Sequence, residues 1–170
     1  MRFVNLPEHG THMNESDTDE YSVEARSGVL GGSDLEKCTA IIEAGGAVAV
    51  DVAKLRQASA LVLARKGSEI VGVASVKAMR PGYTAGIARK SGVTMAPETA
   101  ELGYVAVDRA HQGQGLSHRL VNELLRSQKG ALFATTDNPR MKRVLSSAGF
   151  QRKGHEWKGK RGQLSLWLRD

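Results

Sequence analysis

No short feature constrains this chain more than the run from Glu101 to Lys129. It begins as an apolar strand, Leu102-Gly103-Tyr104-Val105-Ala106-Val107, continues as the tight loop Asp108–Gly115, and ends as an amphipathic helix. Leu116, Leu120, Val121, Leu124 and Leu125 fall on one face of a 3.6-residue period. A glycine-bearing turn between a buried strand and a helix start leaves several backbone N–H groups without partners. It places them at the positive end of the helix dipole, which makes an anion site. Two common phosphate loops are excluded. There is no G-x-x-x-x-G-K-[ST] sequence, and a G-x-G-x-x-G pattern started at Gly113 meets His118 where glycine is required.

The sequence has 170 residues, enough for one domain with a sizeable core, and no apolar run reaches the roughly 18 residues of a membrane span. Its N-terminus lacks the basic and apolar regions of a signal peptide. One cysteine, Cys38, cannot form an internal disulfide, so a reducing cytoplasm is expected. Cys38 falls on the apolar face of an expected helix and reads as a core residue, not a nucleophile. The net charge of +6 is unevenly placed: residues 140–170 hold nine Lys or Arg against Glu156 and Asp170. Such an end can attract nucleic acid, an acidic substrate or a phosphorylated cofactor, or can be a solvated surface.

Residues 1–12 read as an added leader before a native start at Met13, and residues 13–20 as an acidic, disordered segment. One domain is expected over residues 21–170. A first strand is expected over residues 21–26. The sequence Ser33-Asp34-Leu35-Glu36 has the form of a capping box, opening a helix that Gly45-Gly46 ends. A short helix over residues 51–58 and a hairpin of strands 60–65 and 70–77 follow. Residues 80–100, punctuated by Pro81, Gly82, Gly86, Gly92 and Pro97, read as a long loop. Beyond the central helix, residues 131–135 form a strand. Asn138-Pro139 starts a helix that Gly149 ends, and strands over residues 150–157 and 163–169 close the chain. No internal repeat is present.

The hexapeptide Gln112-Gly113-Gln114-Gly115-Leu116-Ser117 resembles the Q/R-x-x-G-x-G/A signature of the Gcn5-related N-acetyltransferase (GNAT) superfamily, with Ser117 at the final small position. The block from Asn138-Pro139 to Gly149-Phe150 resembles that family's second recognisable segment, and the order of elements is similar over nearly all of residues 21–169. The resemblance implies an α/β (α+β) single-domain fold, with a mixed, mostly antiparallel sheet of about six to seven strands and about four flanking helices. It implies acetyl-CoA as co-substrate, no metal, and direct attack of an amine on the thioester, so that no nucleophilic cysteine is needed.

Carried over by position, the amides of Gln112, Gly113, Gln114, Gly115, Leu116 and Ser117 would hold the pyrophosphate. Val105, Ala106 and Val107 would pair with the pantetheine arm, and Asn138 would contact it or simply cap its helix. Glu101 is the candidate base, with His111 and Glu98 as fallbacks, and Tyr104 is a candidate acid. Relatives often carry a proton-donating Tyr four residues before the terminal glycine; here that position is Leu145.

The leading expectation is an N-acetyltransferase whose acceptor is an open question: a small amine, an antibiotic, a protein amino group, or a nucleic-acid-linked amine such as aminoacyl-tRNA. Leu145 motivates the alternative of a non-catalytic acyl-CoA-binding module. Charge permits plain nucleic-acid binding, which no recognisable module supports. No membrane partner is expected, and a homodimer stays open.

Overall fold

The computed structural model describes residues 20–46 and 50–170. The chain runs β1 (Tyr21–Arg26), α1 (Gly32–Ala44), α2 (Val52–Arg56), β2 (Ala60–Lys66), β3 (Glu69–Val76), α3 (Pro81–Ser91), β4 (Ala100–Val107), α4 (Leu116–Ser127), β5 (Leu132–Thr136), α5 (Pro139–Ser147), β6 (Gln151–Lys158) and β7 (Gln163–Arg169). The expected mixed sheet is present with seven strands in the order β1-β2-β3-β4-β5-β7-β6. Only β4 and β5 run parallel; every other neighbouring pair is antiparallel. No helix among the described residues is long and apolar enough to cross a membrane. The leader and most of the acidic segment expected over residues 1–20 lie outside the described residues.

Two local expectations are corrected. Residues 80–100 are not one long loop, because Pro81–Ser91 forms α3, which brings the helices among the described residues to five against the four expected. Pro81 occupies the first turn, where its missing N–H costs nothing, and Gly92 (φ 70°) supplies the left-handed C-terminal residue. The glycines and prolines taken as loop punctuation are therefore partly helix-end signals. Ile87 at the core, not propensity, holds the glycine-bearing helix in place. The capping box at Ser33 is also not formed. Helix α1 begins at Gly32, so its N-cap is Gly31, two residues before Ser33, and no side chain caps it.

Elsewhere the helix ends are closed locally. Asp51 caps α2 by accepting from the Lys54 amide at 3.2 Å, and Asn138 caps α5 by accepting from the Arg140 amide at 2.9 Å. Helix α5 ends in a Schellman motif: the Phe150 amide donates to the Leu145 carbonyl at 3.0 Å, and Gly149 donates to that of Ser146 at 3.1 Å. Leu145 and Phe150, both buried, belong to one core cluster, as this motif favours.

The two faces of the sheet are covered differently. On one side α4 and α5 share a single core that reaches from Val62 and Val71 through Leu120 and Leu124 to Leu132 and Leu145. On the other side the core is split. Helices α1 and α2 seal β2, β3 and Tyr104 through Cys38, Ile41, Ile42 and Leu55. Separately, α3 packs Ile87 on Phe133 and Leu166. The boundary between these clusters falls where β4 meets β5. Cys38 is fully buried in the first cluster, and burial pushes its thiol up to about 11, as expected of an unreactive core cysteine.

The edge strand β6 carries an irregularity between Lys153 and Trp157, and within it Gly154 adopts φ 69°. A β-carbon there would collide with the Ser91 carbonyl oxygen at the end of α3 and stand 2.5 Å from Val93 Cγ2. Only glycine satisfies both demands. Gly154→Ala is expected to destabilise the fold by about 1–3 kcal/mol, read as a lower urea midpoint at unchanged slope. An unchanged midpoint would mean that the α3–β6 approach is loose.

Candidate functional site

The site begins with a failure of strand pairing. Parallel strands β4 and β5 pair only at Ala100–Leu132 and Glu101–Phe133, after which β5 continues along β7 and β4 along β3. The register between β3 and β4 explains the divergence. Val73 faces Ala106 and Ser75 faces Gly103, so β4 contains one residue more than its partner, a bulge around Tyr104 and Val105. Tyr104 has φ 52°, the one non-glycine residue with positive φ among those described. Its ring, 8 % exposed, is held in the α1 core, so packing fixes the strained backbone. Beyond Glu101 the β5-facing edge of β4 therefore lacks a strand partner through Val107.

The glycine loop stands at the open end of this fork. Arg109–His111 forms a 3₁₀ turn started by Asp108, which accepts from the Ala110 amide at 3.0 Å. The Gln112 side chain donates back to the Val107 carbonyl at 3.2 Å and closes the loop onto the strand. Gly113 (φ 79°) and Gly115 (φ 71°) both require left-handed backbone, and a β-carbon at either would meet nothing within 4 Å. Gly115 is the N-cap of α4 and no side chain caps that helix. Its first-turn amides, Leu116 and Ser117 among them, thus have no side-chain cap at the positive end of the dipole. Leu116 also buries its side chain, 2 % exposed, and anchors the turn. A left-handed, uncapped turn with room beside both glycines and a free strand edge next to it fits a pyrophosphate with an extended arm.

The vertex of the fork is polar. Glu101 is 8 % exposed and both of its oxygens are held: Oε1 by Lys77 Nζ at 3.1 Å and Oε2 by Arg80 Nη2 at 2.8 Å. Lys77 lies across Gly103, where a β-carbon would stand 2.5 Å from its Cε, and its ammonium sits 4.7 Å from the centre of the Tyr104 ring. The Arg80 guanidinium stacks over Tyr83 at 4.2 Å, and Tyr83 lies 6.4 Å from the Phe133 ring. Burial raises the Tyr83 phenol above its usual range. The Glu101 charge adds to the rise, while Arg80 and a hydrogen bond with Thr135 oppose it. These groups fill the break between the two core clusters.

The structure thus brings Glu101, Tyr104, Val105, Ala106 and Val107 onto one strand and Gln112 to Ser117 onto the turn that follows. Asn138 stands at the head of α5, just beyond β5. Arg161, in the β6–β7 turn, lies 3.9 Å from Asp137 and 3.7 Å from the position a β-carbon would take at Gly46, so it reaches toward the end of α1. His111 is half-buried and its Nδ1 is 2.9 Å from the Tyr21 hydroxyl, tying the loop to β1. Glu98 stays outside the vertex contacts. Leu145 is fully buried in the α4–α5 core. Sequence reasoning missed Lys77, Arg80 and Tyr83. The helix-start proline beside Arg80 was the available signal for two of them.

Residues 34–150 match the model of the acetyltransferase (GNAT) family. The chain belongs to that family. No curated protein matches the sequence significantly. Among solved structures, Escherichia coli ElaA is similar at 14 % identity and a TM-score of 0.66, over 89 % of this chain and 100 % of its own. The yncA protein of Salmonella typhimurium, described with its cofactor acetyl-CoA, is 22 % identical with a TM-score of 0.55, over 88 % of this chain and 94 % of its own. The Escherichia coli ribosomal-protein-S18-alanine N-acetyltransferase is 15 % identical with a TM-score of 0.57, over 88 % and 91 %. These likenesses establish the GNAT fold, which the resemblance in the glycine loop implies.

A direct check of the loop is Gly115→Val. Charge-assisted amide–phosphate bonds contribute about 1.5–3 kcal/mol each, so filling that space is expected to weaken CoA binding at least about tenfold. Calorimetry on a variant shown by circular dichroism to be folded reads the effect. Unchanged affinity would remove the turn from the cofactor site.

Proposed function

We propose that this protein is an acetyl-CoA-dependent N-acetyltransferase in which an acceptor amine attacks the thioester directly, within a ternary complex. The observation that carries the reading is the fork: a β4 edge left without a strand partner that leads into an uncapped, doubly left-handed glycine turn. When bound, acetyl-CoA supplies the activated acetyl group. The amides from Gln112 to Ser117 hold its pyrophosphate, and the Val105–Val107 edge receives the pantetheine as an additional strand would be received. The Val107 amide would serve the developing oxyanion, and Asn138, which caps α5, would also contact the arm.

The amine reaches the site as an ammonium and must lose a proton. Glu101 is the carboxylate at the vertex. Each of its oxygens keeps a second lone pair after accepting from Lys77 or Arg80, so it can receive that proton directly or through water. Tyr104 is a poor acid on this geometry, because its ring is packed in the α1 core. Leu145 cannot protonate the departing thiolate, so water or the ammonium of the addition product does so. No cysteine takes part: Cys38, on the inner face of α1, is fully buried in the core.

The acceptor reading follows charge. The basic residues near the C-terminus, with Lys158, Lys160 and Arg161 at the β6–β7 turn, favour an acidic or nucleic-acid-linked acceptor in the cytoplasm. Solved relatives include an acetyltransferase for ribosomal protein S18 alanine and one for the ribosomal L7/L12 α-amine, which makes a protein N-terminus a reasonable member of the first panel. Buried Leu145 favours one second reading, an acyl-CoA-binding module without turnover. CoA release against an amine panel separates the two.

Glu101→Gln sharpens the assignment. If Glu101 is the base, kcat is expected to fall about 10²–10⁴-fold while KM for acetyl-CoA stays near the parent value. A variant that keeps its kcat would leave proton removal to His111 or water.

A further inference from the structure

The vertex carries more positive charge than its own carboxylate neutralises. Lys77 and Arg80 both bind Glu101, and among the described residues neither makes another ion pair or side-chain hydrogen bond. The Lys77 side chain is only 13 % exposed and Arg80 31 %, so the surplus is not simply dissolved in water. Tyr104 and Tyr83 present ring faces to the two cations, which soften the charge without cancelling it. Donor capacity is also in surplus: an ammonium has three N–H donors and a guanidinium five, and one of each is used on Glu101. Half-buried cations with spare donors, placed where two cores separate beside an open strand edge, form a site for an anion.

We propose that Lys77 and Arg80, held in position by Glu101, are the subsite for a carboxylate on the acceptor, so that the protein acetylates amines that also carry a carboxylate. This rests on the acetyltransfer reading and adds a substrate class to it. Arg80 is the outer and more exposed of the two cations, and its planar fork suits a carboxylate. Lys77 supplies charge from beneath, its stem laid over Gly103. Glu101 then has a second task, as a positioning residue that aims both cations at the fork.

The test is a series of ω-amino acids of increasing chain length, each paired with its ω-amino amide, assayed for CoA release. Turnover of any member tests the acetyltransferase reading. The ratio of kcat/KM for acid over amide tests the subsite. In the parent that ratio is expected to exceed about 10 at the best chain length, the scale of one charge-assisted hydrogen bond. It is expected to collapse toward one in Arg80→Gln and to recover in part in Arg80→Lys. Gly103→Ala, which crowds the Lys77 stem, is expected to lower the ratio as well. A ratio near one in the parent, or one that survives Arg80→Gln, overturns the proposal and returns the cluster to a purely structural ion triad. Should no amine turn over, the acetylated acid and acetylated amide of the same chain length are titrated into the CoA-loaded protein, with the Arg80 Nε–H resonance followed by NMR. A shift saturating with the acid alone supports the subsite, and no shift with either defeats it.

Discussion

The parting of β4 from β5 is the constraint on which the rest of the site depends. Two residue pairs join these strands before the extra residue at Tyr104–Val105 turns β4 away. A bulge of this kind raises local twist and cannot be reversed by small side-chain movements. Its strained residue is locked by a ring packed under α1 and faced by the Lys77 ammonium. From that one insertion follow a free strand edge, a glycine turn at its open end, and a sheet face that one continuous core cannot cover. The candidate site occupies the place where packing gives way.

What fills the gap has to be polar on energetic grounds. A carboxylate 8 % exposed cannot be left alone, since an unpaired buried charge costs several kcal/mol. One cation would meet that need. Two unit charges about 4 Å apart at an effective dielectric near 20 interact by about 4 kcal/mol, so the second cation also gains by approaching Glu101 but repels the first. The arrangement persists because each cation rests on its own aromatic face. Lys77 extends along β4 over a residue that has no side chain to obstruct it.

Much of this was legible in the residues and some was not. The central strand, the glycine turn and α4 were readable because three local signals agree: an apolar run, glycines at the turn, and a 3.6-residue stripe from Leu116 to Leu124. The α5 ends were readable because Asn138 and Gly149 act locally. Helix α3 was misread since its glycines weaken propensity and its support comes from Phe133 and Leu166, which lie far away in sequence. The Ser33 capping box failed because α1 begins at Gly32, just after Leu30, which is buried in the same core as the helix. Glu101 stood out as a polar residue opening an apolar strand. Its partners did not, because Lys77 sits at the end of a hairpin and Arg80 before a proline, and no periodicity links them. The bulge was invisible too: a register shift belongs to two strands at once.

The split core has a mechanical meaning. Strands β1–β4 and strands β5–β7 share two backbone pairs and the core beneath α4 and α5, whereas neighbouring strands within each group share four to seven pairs, some of them across a bulge. Cooperative units in proteins follow such seams. The sheet is therefore built as two leaves hinged along α4 and α5, and the layer facing the fork contributes little apolar resistance to their separation. A molecule lying between β4 and β5 would replace the missing strand contacts, so occupancy of the fork and rigidity of the whole sheet are one property measured in two ways.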